Sequence, residues 1–361
     1  MRNSINKTII GMIAAVCSLL TQPARSQDYH VTPDEARNLA LEIDSTMNRQ
    51  DPKILNQLVD QSTLLSRIHL EMDPNIREQY MAGLAKGLNI FNLGNKCLTG
   101  MGDGSYRFLR QYNRDAESHI LFRMLGASGL NYHDFTLVRI RDSVKAADVL
   151  IFLSGEDISK TMSNMAMALD PSRYSESEIN LMTKFMHQVG KADFVAARQS
   201  YEQFPDRLRE EKYFQMINLQ VCQHIDKQLY KSALIEFMKK YPNAPNAALT
   251  LIDLYLLNKE YDSCLSAIDR LDSLVHGDPV LNFLRGNVLK KTGKDAESTA
   301  YYQKAFDYDP VIWQNMQQLV MAYMTGHQLE KAKSVIATYE KTAYSKKQYV
   351  DDLKEKYPDL K

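Results

Sequence analysis

From about residue 178 onward, apolar positions recur at helical spacing in paired segments, and the pair itself recurs at a step near 34 residues. In the stretch 245–278, Leu249, Ile252 and Tyr255 mark one helix, and Leu265, Ile268 and Leu271 mark the next. Breakers punctuate the joints: Pro205, the "YPNAP" segment at 241–245, the "HGDP" segment at 276–279, and Pro310. The small residue of each second helix falls at Ala197, Ala233, Cys264, Ser298 and Ala332, with separations of 36, 31, 34 and 34 residues. This phase predicts five helical hairpins over 173–346, stacked as an all-α solenoid. The charged segment 347–361 is expected to form a helix that caps the last apolar face.

Ahead of the hairpins the pattern changes. Residues 33–48, 52–70 and 75–93 read as amphipathic helices, the last running into a loop "TGMGDG" at 99–104. Four runs of strand length follow, at 105–113, 118–126, 130–141 and 144–154, with short turn-like pieces between them. Connections this short force antiparallel neighbours, so a four-stranded meander is expected. A helix over 155–170 and then Pro171 close an α+β domain over 27–172. That domain is expected to dock on the first hairpin and cap the N-terminal end of the solenoid.

The segment Pro279 to Ile312 shows the repeat most clearly. Gly286 lies where two helices must approach, Gly293 in the turn, Ser298 on the second helix, then Tyr302 and Ala305, with Pro310 ending the unit. This order of small, large and breaker residues resembles the tetratricopeptide repeat. The resemblance implies an interaction scaffold that takes a peptide or protein on the inner face of each first helix. Carried over, that face includes Val280, Phe283, Asn287, Lys290 and Lys291 in the fourth unit, and Gln314, Gln317, Met321 and Met324 in the fifth. Phe185, Val221 and Ile252 depart from the pattern, standing where a small residue is usual. The helices-then-meander order resembles the nuclear transport factor two-like (cystatin-like) roll, whose sheet wraps a helix and can enclose a pocket. The strand containing "ILFR", followed by "GLNYHDF" and a strand leading to "SGE", is similar to exported bacterial proteins with C-terminal tetratricopeptide repeats. That likeness implies no activity.

Residues 1–26 have a positive start (Arg2, Lys7), an apolar stretch from Ile9 to Leu20, and Ala24 and Ser26 at small-residue exit positions. They read as a cleaved signal peptide, being too short in their apolar core to span a bilayer. Export to the periplasm is therefore expected. The remaining chain has 41 basic and 44 acidic residues, a net charge of −3. A near-neutral chain has no electrostatic footprint for nucleic acid. No later stretch has membrane-spanning length.

Chemistry is sparse. Cys97, Cys222 and Cys264 follow the signal, and no pair has metal-ligand spacing. "GMGDG" at 100–104 lacks a phosphate-loop lysine. No metal and no cofactor is predicted. One catalytic alternative stays open. Tyr132 and Asp134 share a strand face, which suits a general acid–base pair, and Arg123 on the neighbouring strand could orient an anion. On that reading a pocket in the α+β domain binds a small molecule or runs acid–base chemistry, with the hairpins as support.

Overall fold

The structure is a computed structural model that describes residues 30–361 other than 89–91, 127–128, 169, 171 and 243–245. Residues 1–26, expected to form a signal peptide, lie outside the described residues. Helix α1 (Pro33–Asn48) starts in a capping box, with Glu35 N–H donating to the Thr32 hydroxyl and the Thr32 N–H donating back to the Glu35 carboxylate. Ala36, Ala40, Ile43 and Met47 recur at helical spacing on the face it buries. The run expected as one helix over 52–70 is broken into α2 (Lys53–Leu58) and α3 (Gln61–Ser66), with Asp60 capping the second. Helix α4 (Pro74–Leu88) is followed by α5 (Leu93–Met101), so the loop expected at 99–104 begins only at Gly102.

Strands β1 (Ser105–Arg114), β2 (Glu117–Gly126), β3 (Gly129–Ile140) and β4 (Ser143–Ile151) pair antiparallel in chain order. The sheet has five strands rather than the four expected. The short β5 (Glu156–Asp157) turns back on β4, and α6 (Ile158–Ala168) follows. Bulges at Leu109 in β1 and Ala147 in β4 re-aim the side chains beyond them. One face carries Tyr106, Ile120, Phe122, Phe135 and Val149 into a core with α1, α2 and α5. The free edge of β1 is closed by α1 side chains. Asn48 both donates to Tyr106 O and accepts from Tyr106 N, and Asp44 accepts from Phe108 N.

The hairpins are α7 (Glu176–Gly190) with α8 (Phe194–Glu202), a single turn α9 (Asp206–Arg209), then α10 (Lys212–Ile225) with α11 (Lys227–Lys240). They continue as α12 (Ala247–Asn258) with α13 (Tyr261–Leu274), α14 (Leu281–Lys291) with α15 (Asp295–Tyr308), and α16 (Trp313–Thr325) with α17 (Leu329–Glu340). Together they form a tetratricopeptide-like helical array. Its step is visible in recurring bonds. The Ser298 hydroxyl donates to Gly286 O at 2.9 Å, and the Cys264 thiol donates to Ile252 O at 3.7 Å, each across twelve residues. Gly286 is required by proximity, because a Cβ there would lie 2.5 Å from a ring carbon of the fully buried Tyr302. In the first unit Phe185 fills the corresponding space within a buried cluster of Tyr201, Phe204 and Phe214. Helix α18 (Lys347–Lys356) covers the last hairpin, burying Tyr349, Val350 and Leu353 and stacking Tyr349 on Trp313 at 4.0 Å.

The sheet does not dock on the first hairpin in the way the sequence suggested. Its second face, through Leu121, Tyr132 and Phe152, packs on Ala248, Ile252, Ile268 and Leu281 of the third and fourth units. Leu125 meets Val280 and Ile312 at the next joint. With both faces covered, the central strands are buried almost continuously (positions 118–125 and 131–137), where a half-exposed antiparallel sheet would alternate. Contact with the early units is more peripheral, through Lys212 of α10 bonded to Glu156 at 3.1 Å.

Candidate functional site

The residues proposed for a catalytic pocket converge on the junction between sheet and array. Register places Arg123 opposite Tyr132 and Leu121 opposite Asp134, so all four share the face that meets the helices. Arg123 is fully buried, donating to Asp278 Oδ1 at 2.8 Å and to Asp309 Oδ2 at 2.7 Å. The Tyr132 hydroxyl donates to the other Asp278 oxygen at 2.9 Å. Burial opposes the Arg123 charge, but the two aspartates outweigh it and raise its pKa. Burial, then the Asp278 charge, lifts the Tyr132 phenol well above its ordinary value. A tyrosine held protonated against a carboxylate, and a fully buried arginine bonded to two, face no open pocket. The acid–base reading of Tyr132, Asp134 and Arg123 is therefore corrected. The groups share a face as expected, but that face is filled by the array.

Asp134 lies further along the same face, in a second cluster. It accepts from the Tyr112 hydroxyl, and His119 Nδ1 stands 3.2 Å from its other oxygen. His119 stacks on Tyr112 at 5.0 Å, and its Nε2 is buried with no hydrogen-bond partner among the described residues. The array and the neighbouring strands bury this cluster as they bury Tyr132.

On the opposite face the fold assembles a Cys–His–Asn constellation that the sequence did not reveal. Cys97 Sγ lies 3.7 Å from His133 Nδ1, and Asn131 Nδ2 lies 3.1 Å from His133 Nε2. The geometry has the wrong polarity for a nucleophile. Asn131 Oδ1 accepts from the backbone N–H groups of Tyr132 and Leu153, both at 2.8 Å, so its amide nitrogen must donate to His133 Nε2. The ring proton is thereby on Nδ1, facing the Tyr106 hydroxyl at 3.0 Å and the thiol. A protonated Nδ1 cannot take a proton from Cys97. Burial also pushes the thiol up to about 12 and the imidazole down to about 4. The constellation is packing. Cys97 and His133 lie 36 residues apart, and only the seating of α5 against the sheet brings them together.

The inner-helix candidates fare unevenly. Val280 is 2% exposed beneath Leu125, so it belongs to the sheet junction and is closed to a ligand. Phe283 is half-buried, 6.1 Å from the Tyr302 ring, and Asn287 accepts from the Tyr302 hydroxyl at 2.9 Å. Lys290 and Lys291 are exposed, Lys290 reaching Gln318 at 2.9 Å. Gln314, Gln317 and Met321 are half-buried, and Lys356 of α18 sits 3.4 Å from the Met321 sulfur. The inner surface is thus covered by the sheet at units three and four and by α18 at unit five. Between these covers Lys290, Lys291 and Gln317 retain exposed or partly exposed surface.

Among the described residues no group of three or more His, Cys, Asp or Glu is placed to hold a metal ion. Cys97, Cys222 and Cys264 are free and buried. No helix among the described residues is long and apolar enough to cross a membrane.

No family model and no curated protein matches this sequence. Among solved structures, a crystal structure of MamA protein is similar at 16% identity, with 49% of this chain and 93% of that chain covered and a TM-score of 0.37. A structure of MamA AMB-1 is similar at 13% identity, with 45% of this chain and 89% of that chain covered and a TM-score of 0.36. At these scores the likeness says nothing of ligand, partner or activity.

Proposed function

We propose that this chain is a non-catalytic interaction scaffold, exported to the bacterial periplasm by residues 1–26. On this reading it holds a peptide or protein segment on the inner surface of its fourth and fifth hairpins. The observation that supports this most is the placement of the polar groups. Arg123 and Tyr132 of the sheet are buried and bonded to aspartates of the array, whereas Lys290 and Lys291 are exposed and Gln314 and Gln317 half-buried on the fourth and fifth hairpins. Ammonium and amide groups on a rigid helical surface suit the carboxylates and carbonyls of a peptide, through charge-assisted and neutral hydrogen bonds. Phe283 and Met321 supply adaptable apolar contact between them. The N-terminal part, whose element order resembles a nuclear transport factor two-like roll, serves as support.

The test uses the full mature chain, 27–361, as bait in envelope extract. Captured proteins are then titrated, as purified components, against the parent and a Lys290→Ala/Lys291→Ala/Gln317→Ala variant. Affinity reduced at least tenfold with the fold intact supports the surface. Equal affinity of parent and variant refutes it.

A further inference from the structure

The chain repeats Asp-Pro-Val at 278–280 and at 309–311, 31 residues apart, each at a joint between hairpins. Asp278 accepts from Val280 N–H at 3.1 Å, which ties its carboxylate to the entry of α14. Asp309 occupies the equivalent position before α16, and its Oδ1 has no hydrogen-bond partner among the described residues. One guanidinium reaches both joints. Arg123 bonds Asp278 through Nη1 and Asp309 through Nη2, so the separation of the two carboxylates is the span of a single planar fork. Arg107, opposite Arg123 in the sheet, adds a second cation 3.6 Å from Asp309 and is itself held by Asp44 of α1.

Neighbouring contacts follow the same line. Arg110 donates to Gly277 O at 2.7 Å, beside the first joint. Past the second joint, Asp103 at the entry to β1 accepts from Lys346 and, at 2.8 Å, from the Tyr349 hydroxyl of α18. Arg107, Arg110 and Arg123 lie on β1 or the strand hydrogen-bonded to it, so they cannot move relative to one another without breaking the ladder, and Asp103 lies two residues before β1. Hairpins in a repeat array contact mainly their neighbours and flex at each step.

We infer that the sheet is a brace that sets the step between the third-to-fourth and fourth-to-fifth joints, with Arg123 as the gauge. The helices so braced are those on which Lys290 and Gln317 lie, so the brace also sets the shape of the surface proposed above. It stands or falls independently of whether that surface binds anything.

Ser273 and Lys304 are exposed and equivalent, each five residues before its aspartate. Spin labels at Ser273→Cys and Lys304→Cys in the chain 27–361 report the step directly by pulsed dipolar spectroscopy, while Cys97, Cys222 and Cys264 remain buried. The parent is expected to give one narrow distance peak. Arg123→Lys keeps the charge but cannot bond both carboxylates in one plane, and is expected to broaden or lengthen the distribution. Arg123→Met, leaving two buried like charges face to face, is expected to do so further. Adding Asp278→Asn and Asp309→Asn to Arg123→Met removes the repulsion and is expected to reverse most of the excess. Circular dichroism checks that each variant keeps its helix content. A narrow, unshifted peak in folded Arg123→Lys and Arg123→Met, or no difference between Arg123→Met and the triple variant, would overturn the inference.

Discussion

Replacing Gly286 with alanine sets two effects of opposite sign against each other at one atom. Alanine in a helix interior is favoured over glycine by about 0.8–1 kcal/mol. Against that, the new Cβ would meet Tyr302 ring carbons at 2.5 and 2.6 Å, inside any real contact distance. Tyr302 has little room to yield. It is fully buried, its hydroxyl is bonded to Asn287, and Asn315 donates to its carbonyl at 3.0 Å. Overpacking of this kind costs about 1–3 kcal/mol or more, so strain should win by roughly 1–2 kcal/mol. Gly83→Ala is the internal control. Gly83 also sits inside a helix, but a Cβ there meets nothing within 4 Å, so only the propensity gain remains, about 0.5–1 kcal/mol. Repeat arrays need not unfold in one step, so hydrogen exchange read helix by helix is the right assay. Amides of α14 and α15 should exchange about five- to thirty-fold faster in Gly286→Ala, since about 1.4 kcal/mol is a factor of ten. Those of α4 should exchange more slowly in Gly83→Ala. If both substitutions stabilise their own helices, close approach at Gly286 does not hold the fourth hairpin together.

Arg123→Met should cost about 3–5 kcal/mol, because it removes the cation bonded to both buried aspartates and leaves only Arg107, 3.6 Å from Asp309. Denaturant titrations in which the variant unfolds at the parent's midpoint would refute this. His133, held down to about 4 by burial against an ordinary 6.5, stays neutral in the folded chain while the unfolded chain protonates. Its contribution is present above pH 6.5 and is lost as pH falls toward 4, roughly 3 kcal/mol in all. A ring titration by NMR with its midpoint above 6 would contradict that assignment. Cys97, pushed up to about 12 by burial, should resist a thiol-specific disulfide reagent at pH 8 and react only after unfolding; stoichiometric labelling of the native chain would show the core to be open.

Much of the architecture was legible because it depends on local periodicity. The positions Ala197, Ala233, Cys264, Ser298 and Ala332 are all buried at helix–helix contacts, and the charged terminal segment does cover the last hairpin, stacking on Trp313. The four long strands lie within a residue or so of their predicted runs, apart from the end of the fourth. What was misplaced depended on a single unusual residue or a short segment. Asp60 caps a new helix inside a run that looked continuous, and β5 is two residues long, below what alternation can signal.

The sequence by itself determined which residues are helical or extended, the step of the hairpins, and which faces are apolar, since each follows from spacing along the chain. Only the tertiary structure decided what those faces meet. Arg123, Tyr132 and Asp134 look like chemistry on a strand because a strand pattern says which side chains share a side, not what covers that side. Their partners, Asp278 and Asp309 among them, are up to 186 residues away. Cys97 and His133 meet for the same reason, with a proton placement set by Asn131. Long-range electrostatic pairing depends on where the array closes over the sheet, and no local period encodes that closure.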